Sequence, residues 1–385
     1  MNQMTLPERF EDFSEARREG FVQVMKLKEE GVKIAGAFCA YTPGEIFDAA
    51  GIKTVGLCGT SEETIPDAEK VLPRNLCPLI KSSFGFALTE KCPYFYFADL
   101  IVGETTCDGK KKMYEILEDI GKNVYVMHLP QGADREYEID FWKMEINRLI
   151  DFLEDEFDVE ITEEKLREAV KHANIQRKLR QEMFELQKLT PPPMSGTDMI
   201  IVAEGEGFKL DREERYRAVR DLIDDVKKEY DEGKRPISKD AKRIMVTGCP
   251  LGGATEKIGG IIEESGGVIV CYDTCGGTRS SGLLVDENAE DIVYAIADRY
   301  MKVGCSVLTP NKTRLDSLPE LLEEYQIDGV IEVVLQACHT YNVEAIRIKN
   351  IVQEQNVPYM CIETDYSQLD VGQLSTRIQA FIEML

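Results

Sequence analysis

Eleven cysteines in a chain of 385 residues are the side chains of this sequence best suited to chemistry. Only three histidines accompany them. The C-x-x-C pairs that zinc sites commonly use do not occur, and the nearest approach is Cys271 with Cys275. Soft thiolates without histidine favour iron–sulfur chemistry. Because the C-x2-C-x2-C string of ferredoxins is also missing from the sequence, a cluster would have to be held by cysteines from distant loops.

Most of these cysteines lie where a parallel sheet would place a binding site. One group lies at or just beyond the ends of predicted strands, and it comprises Cys39, Cys58, Cys107, Cys249, Cys275 and Cys338. Cys77 begins a predicted helix at the same edge, where the positive end of the helix dipole favours a thiolate. Ligands of open parallel sheets bind in the crevice outside the carboxyl ends of the strands. The pattern therefore predicts a site for an anionic cluster.

Free cysteine is also a common buried apolar filler, so the structural interpretation competes with the functional one at every position. Cys271 and Cys361 lie inside apolar runs, and we expect both to be core residues. Cys92 lies at the far end of the helix predicted for residues 77–92, and a helix of about 14 residues spans ~20 Å. We therefore expect Cys92 not to share a cluster with Cys77.

Alternating apolar strands and amphipathic helices position these cysteines. The alternation covers residues 32–130 and returns from residue 242 to the end, whereas the residues between carry apolar side chains at helical spacing. The sequence thus predicts an α/β protein with two parallel-sheet domains of the Rossmann or flavodoxin type and a helical insert. The predicted boundaries are 1–139, 140–240 and 241–385, and the cluster is expected in the cleft between the two α/β domains.

Composition excludes several classes of protein. The formal charge of −24 argues against nucleic acid and anionic membrane surfaces as partners. No apolar run approaches the ~20 residues of a membrane span, and the charged N-terminus lacks the apolar core of a signal peptide. We therefore expect a cytoplasmic protein.

A few other residues are candidates for roles around the site. His339 follows Cys338 and is predicted to donate a hydrogen bond to the cluster or relay a proton, with helix capping as the structural alternative. The lysines at 110–112 either offset cluster charge, meet an acidic partner or form a solvated face. Glu45 and Glu104 are weaker acid–base candidates. The segment GETTCDGKKK has the wrong spacing for a phosphate loop, so the sequence predicts no ATP site of its own.

Seven segments resemble one known superfamily: FCAYTPGEIFDAAG, LPRNLCPLIKSSFGF, KCPYFYFADLIVGETTCDGKKKMYE, TGCPLGG, GCSVLTPN, QACHTYNVEAIRIK and IETDYSQLDVGQLSTRIQAFIEML. This is the 2-hydroxyacyl-CoA dehydratase and benzoyl-CoA reductase superfamily, and within it the sequence is most similar to the double-cubane cluster proteins. The resemblance extends over nearly the whole chain. It implies an iron–sulfur enzyme of an anaerobe, with two α/β domains around the cluster.

The resemblance also implies ligands and partners. It assigns Cys77, Cys107 and Cys338 to one [4Fe–4S] cubane. A second cubane, joined to the first by sulfide as an [8Fe–9S] double cubane, would use Cys39, Cys275 and Cys305. Cys249 and Cys58 are the reserve candidates, which would replace a member of this second set of ligands. The electrons would come from a homodimeric iron–sulfur ATPase, the activator, and the chain itself is expected to be a homodimer, with a heterodimer as the alternative.

Three functions follow from this resemblance. The first is an ATP-driven reductase component that passes low-potential electrons to a small substrate. The second is one subunit of a 2-hydroxyacyl-CoA dehydratase with a single [4Fe–4S] cluster. The third is a non-catalytic electron-storage protein. Iron content discriminates between the first two, and turnover assays with the activator test the third.

Overall fold

A computed structural model describes residues 8–385 of the chain, with side chains from residue 15 onwards. Two four-stranded sheets organise it, with the strand orders β2-β1-β3-β4 and β6-β5-β7-β8. All strand pairs are parallel, which confirms the predicted α/β class with two parallel sheets. The strands are β1 (Ile34–Ala37), β2 (Lys53–Gly56), β3 (Leu100–Glu104), β4 (Val124–Met127), β5 (Lys242–Gly248), β6 (Gly267–Asp273), β7 (Gly329–Leu335) and β8 (Tyr359–Thr364).

The two sheets share one topology. In each, the first strand in sequence lies between the second and the third, so the winding direction reverses between β1 and β3 and again between β5 and β7. β3, β6 and β7 are buried along their whole length, as expected of parallel strands covered on both faces. Ligands of such sheets bind outside the carboxyl ends of the strands at these reversals, so each sheet has one favoured edge for a site.

Helices cover the sheets and fill the region between them. The helices around the first sheet are α1 (Glu8–Glu29), α2 (Gly44–Ala49), α3 (Ile65–Ala68), α4 (Pro78–Thr89), α5 (Pro93–Phe97) and α6 (Asp108–Asp119). The middle region contains α7 (Glu136–Phe157), α8 (Glu163–Glu185), α9 (Gly196–Gly205) and α10 (Arg212–Asp231). The second sheet is accompanied by α11 (Thr255–Glu264), α12 (Thr278–Ser281), α13 (Ile292–Met301), α14 (Lys312–Glu324), α15 (His339–Glu354) and α16 (Val371–Glu383). Within the part of the chain that the structure describes, no helix combines the length and apolarity needed to cross a bilayer.

The middle region is helical, and side-chain caps set several of its helix starts. Thr162, Ser195 and Asp211 each accept a hydrogen bond from a backbone N–H three residues later, which satisfies a donor that the helix leaves free. Although α13 lies between β6 and β7 in the sequence, its Ile296 belongs to the same buried cluster as Trp142 of α7 and the core beside β1. The three predicted domain boundaries stay a prediction.

The helix predicted over residues 77–92 is divided in the structure. α4 ends at Thr89, and Glu90 takes a left-handed conformation with φ +54°, as is common where helices end. Pro93 then occupies the first position of α5, with Cys92 as its N-cap residue. Proline is well suited to a helix start because it has no backbone N–H to leave unpaired.

Candidate functional site

One cavity of about 450 Å³ collects most of the cysteines of the chain. Eight thiols line it: Cys39, Cys58, Cys77, Cys107, Cys249, Cys275, Cys305 and Cys338. The structure therefore brings together all six predicted ligands and both reserves, while their role as ligands stays a prediction. Cys92, Cys271 and Cys361 are not among its lining residues; Cys271 lies fully buried in β6.

The topology explains why these thiols meet. Cys39 and Cys107 follow β1 and β3, the two strands at the reversal of the first sheet. Cys249 and Cys338 follow β5 and β7, the strands at the reversal of the second. The cavity thus lies at the favoured edge of both sheets.

Three of the cysteines share a further feature. Cys77, Cys107 and Cys338 are the N-cap residues of α4, α6 and α15, and the resemblance assigns these same three to one cubane. At an N-cap, the helix dipole and the free backbone N–H groups favour a negatively charged sulfur. Metal ligation requires this thiolate form. The three positions are therefore suited to holding a metal cluster.

Some thiols also contact each other across the two sheets. The Cys338 thiol is within hydrogen-bonding reach of the Cys77 and Cys249 thiols. The contact with Cys338, followed by burial, raises the pKa of Cys77, and the contact with Cys249 raises that of Cys338. Burial raises the pKa of Cys275 to about 12. These groups are neutral thiols in the cluster-free protein, so ligation would release protons.

The backbone is in the left-handed region at Cys39 and at Ala337, the residue before Cys338. Among residues 8–385, six non-glycine residues have φ near +55°, and four of them lie where helices end: Glu90, Asp158, Gln326 and Asn356. The other two, Cys39 with φ +60° and Ala337 with φ +58°, lie in loops that line the cavity. Non-glycine residues pay a conformational cost in this region, and such residues concentrate at functional sites. Gly248 meets a related demand: its φ is +125° and an added Cβ would lie 2.1 Å from the Val333 carbonyl oxygen.

A buried ammonium group faces the thiols of the first sheet. Lys110 is 3% exposed, and its Nζ finds no hydrogen-bond partner in the described structure. It lies 3.8 Å from the centroid of the Phe38 ring. Burial lowers the pKa of Lys110, but the facing Cys58, Cys39 and Cys107, together with Glu104, outweigh it and the net direction is upward. Lys110 is therefore not part of a solvated basic patch, whereas Lys111 and Lys112 are exposed and pair with Asp108 and Glu115.

A buried carboxyl group lies close to Lys110 and Cys39, behind the residues that line the cavity. Glu104, the last residue of β3, is fully buried. Its Oε1 accepts a hydrogen bond of 2.8 Å from the Thr42 hydroxyl, and its Oε2 has no partner among residues 15–385. Burial raises the pKa of Glu104 to about 7. The weaker candidate Glu45 differs, because it is ion-paired with Arg177 at 2.6 Å and lines a separate cleft.

The opposite wall is ordered by a hydrogen-bond chain that ends on a thiol. The Tyr341 hydroxyl donates to Cys305 Sγ at 3.5 Å and accepts from Arg279 Nη1 at 2.8 Å. Arg279 in turn pairs with Asp273, with Nε 3.1 Å from Oδ1 and Nη2 3.0 Å from Oδ2. These three residues were not predicted from the sequence: Asp273 and Arg279 are more than 60 residues from Tyr341, and within QACHTYNVEAIRIK only Cys338 and His339 were singled out. His339 lines the cavity at an exposed position.

An iron–sulfur cluster fits these features better than a single metal ion does. In the region that the structure describes, no three His, Cys, Asp or Glu side chains converge closely enough to hold one ion. The thiols instead surround a volume, as ligands of different irons in one cluster do. The unpaired ammonium of Lys110 suits an anionic occupant. A larger cleft of about 550 Å³ adjoins the cavity and shares Cys58, Leu79 and Gly276 with it.

Comparisons with known proteins point to one family. The model of the family described as 2-hydroxyglutaryl-CoA dehydratase, D-component, matches residues 39–385. A protein of Escherichia coli (strain K12), provisionally named dehydratase subunit YjiM, is 50% identical over 99% of this chain and 98% of that protein. The (R)-phenyllactyl-CoA dehydratase beta subunit of Clostridium sporogenes is 26% identical over 98% of each chain. A benzoyl-CoA reductase subunit of Thauera aromatica is 24% identical over 55% of this chain and 53% of that protein. The predicted superfamily is confirmed.

Proposed function

Because this chain belongs to the 2-hydroxyglutaryl-CoA dehydratase D-component family, we propose that it is an iron–sulfur enzyme component of the double-cubane type. It would receive low-potential electrons from a separate ATP-hydrolysing activator and reduce a small substrate. The observation that carries this proposal is the set of eight thiols around one cavity at the reversal edges of both sheets. A single cubane held by three thiols would leave five of them without a role.

The proposed ligands divide into two trios. Cys77, Cys107 and Cys338 would hold one cubane from helix N-caps, and Cys39, Cys275 and Cys305 would hold the second. Two of the eight thiols would then stay free, and Cys249 is the first alternative because it contacts Cys338. When bound, such a group supplies electrons of very low potential and iron sites that are open to substrate.

The remaining residues of the cavity would support this group. Lys110 would offset negative charge on one wall, and Tyr341 would donate a hydrogen bond to Cys305 on the other. Glu104 would hold a proton close to the site, since burial raises its pKa to about 7. The adjoining cleft of about 550 Å³ offers a small substrate a path to the cavity. His339, exposed on the cavity lining, is placed to exchange protons with solvent.

A second function rests on the names of the relatives. One of them is a beta subunit of a 2-hydroxyacyl-CoA dehydratase, and by analogy this chain would hold one [4Fe–4S] cluster beside a partner subunit. Iron and acid-labile sulfide analysis after anaerobic purification separates the two functions. The double cubane requires about eight irons per chain and the single cluster about four. Protein without iron or sulfide after anaerobic reconstitution would contradict both.

Cysteine variants test the ligand assignment. Cys77→Ser, Cys107→Ser and Cys338→Ser are each expected to lose at least about half of the iron, since a hydroxyl is a poor ligand where a soft thiolate is needed. Cys361→Ser is the matched control, because Cys361 does not line the cavity. The measurement is iron per chain at equal far-UV circular dichroism. Equal iron loss in the control would refute the assignment, and the same series at Cys249 and Cys58 tests the reserves.

The dependence on an activator is tested separately. Anaerobic reduction of the purified protein is followed spectroscopically with the activator and ATP, with a non-hydrolysable analogue, and without nucleotide. We expect reduction with ATP alone. Equal rates in all three would show that reduction is not gated by ATP, and reduction without turnover of any small substrate would favour the storage function.

A further inference from the structure

A second cleft, separate from the cysteine cavity, is strongly basic. It has a volume of about 250 Å³ and shares no lining residue with the cavity. Six of its lining residues are cationic: Lys53, Arg177, Arg180, Arg212, Arg215 and Arg299. Only two carboxylates, Glu45 and Asp48, line it. In a chain with a formal charge of −24, this local excess of positive charge is unexpected.

Half of these cations have no carboxylate partner. Arg177 pairs with Glu45, Arg180 with Glu206, and Arg212 with Asp48. Lys53, Arg215 and Arg299 form no ion pair anywhere in the described residues. Both carboxylates of the cleft are thus already paired with an arginine, and three of the six cations have no directly paired carboxylate among the described residues.

Two of the uncompensated cations are also poorly hydrated. Arg299 is only 6% exposed, and its Nε and Nη2 donate to the backbone oxygens of Leu283 and Ser280. The Nε of Arg215 is buried without a hydrogen-bond partner in the described structure. Burial lowers the pKa of both guanidinium groups, and neighbouring arginines add to this. Nearby Glu206 acts in the opposite direction on Arg215, and Tyr300 on Arg299, but the net direction is downward for both. A buried donor without a partner and converging like charges are both costly, and an anion in the cleft would relieve both.

We propose that this cleft binds a phosphate group, either as a free inorganic anion or as the charged end of a phosphorylated small molecule. Guanidinium groups present paired N–H donors that match phosphate oxygens. The volume lies just below the range of about 300–1,000 Å³ usual for ligand clefts, so it suits a phosphate or diphosphate group rather than a whole cofactor. The proposal does not depend on the iron–sulfur function, because none of the cysteines lines this cleft.

Isothermal titration calorimetry on the purified full chain tests the proposal. Pyrophosphate, inorganic phosphate and adenosine diphosphate are titrated at constant ionic strength, and we expect pyrophosphate to bind with a Kd below about 1 mM. Arg215→Gln should weaken binding at least about tenfold, since it removes one uncompensated guanidinium. Arg217→Gln is the matched control, because Arg217 lies exposed on the same helix and does not line the cleft. It should change the Kd less than about twofold.

Each possible result of the titrations either supports or contradicts phosphate binding in the basic cleft. Lys53→Gln provides a second variant if Arg215→Gln alters the circular dichroism spectrum or the Tm. Tighter binding of adenosine diphosphate than of pyrophosphate would identify a phosphorylated small molecule as the ligand class, and the reverse order would identify a free anion. No measurable heat with any of the three at about 10 mM, or equal weakening in the Arg217→Gln control, would overturn the proposal.

Discussion

The two walls of the cysteine cavity contribute equal numbers of thiols but differ in how their charges are compensated. The first-sheet half supplies Cys39, Cys58, Cys77 and Cys107, and the second supplies Cys249, Cys275, Cys305 and Cys338. On the second wall, Arg279 and Arg314 both contact Asp273, and Arg279 also bonds Tyr341. On the first wall, Lys110 Nζ has no hydrogen-bond partner in the described structure, and neither has Oε2 of Glu104, which lies buried close to it.

The buried charges of the second wall have partners within the protein, whereas those of the first wall lack some of theirs. Buried polar groups are nearly always paired, and an unpaired one costs free energy. The second wall satisfies its charges within the protein and so fixes the positions of its loops. On the first wall, the Lys110 ammonium group lies over the Phe38 ring without a hydrogen-bond partner among the described residues. An anionic group beside it would stabilise it.

Removing a charged group from the second wall, whose charges are paired within the protein, should have the largest effect on stability. Asp273→Asn removes the carboxylate that faces both Arg279 and Arg314, all three being nearly fully buried. Removing one partner of a buried ion pair leaves an uncompensated charge and typically costs about 3–5 kcal/mol. We expect a loss of this size in the free energy of unfolding, measured by urea denaturation of the cluster-free protein.

A surface aspartate provides the control for that experiment. Asp298 pairs with Lys302 at 2.6 Å on the exposed face of α13, so Asp298→Asn should cost less than about 1 kcal/mol. A cost below about 1 kcal/mol for Asp273→Asn as well would show that the second wall is not held by its charges.

The first wall should instead affect how the free energy of unfolding depends on pH. The pKa of Glu104 is raised by burial from 4.5 to about 7, so the folded chain binds this proton more tightly than the unfolded chain does. The contribution of this proton to the free energy of unfolding is fully present below pH 4.5 and is lost as the pH rises to about 7. Between about pH 5 and 7 it amounts to about 2 kcal/mol.

The measurement is urea denaturation of cluster-free protein at both pH values. In Glu104→Gln the fall in stability between about pH 5 and 7 should be smaller than in the wild type by about 2 kcal/mol. Glu115→Gln, at an exposed position on α6, should leave the fall unchanged. An unchanged fall in Glu104→Gln would mean that Glu104 is ionised across this range.

The sequence predicted the parts of this molecule that depend on local pattern. Apolar runs such as those ending before Cys249 and Cys338 read as parallel strands, and the structure has β5 and β7 there. Strand ends then located the thiols, because the carboxyl ends of parallel strands share one edge. Of the three alternatives for residues 110–112, a solvated face is wrong for Lys110, which is buried. A run of three lysines does not reveal that one of them turns inward on α6.

What the sequence did not predict depends on contacts between distant segments. The chain from Asp273 through Arg279 and Tyr341 to Cys305 joins the end of β6, two helices and a loop that are up to 68 residues apart. The basic cleft likewise assembles residues of α2, α8, α10 and α13. Each of its arginines alone is indistinguishable from an ordinary charged residue on an amphipathic helix.

Lys110→Met tests the charge of the first wall in the cluster-loaded protein. A positive charge near a cluster stabilises its reduced, more negative form, so its removal should lower the reduction potential. We expect a shift of about −60 mV, equivalent to a tenfold change for one electron. Lys111→Met is the control, since Lys111 is exposed and paired with Asp108. An equal shift in both variants, measured by anaerobic redox titration, would argue against a specific role for Lys110.

The smallest effect is expected from the single hydrogen bond by which the compensated wall reaches a thiol. Tyr341→Phe removes the O–H that donates to Cys305 Sγ at 3.5 Å, and hydrogen bonds to cluster sulfurs help set the potential. One such bond is worth about 0.5–1 kcal/mol, which corresponds to a shift of about −20 to −40 mV for one electron. Tyr366→Phe is a matched control, because Tyr366 is buried and its hydroxyl has no hydrogen-bond partner in the described structure. If both variants keep the wild-type reduction potential, Tyr341 acts only in ordering Arg279. A shift in Tyr341→Phe alone would show that Cys305 is a ligand of the cluster. The second wall would then adjust the reduction potential of the group whose negative charge Lys110 of the first wall offsets.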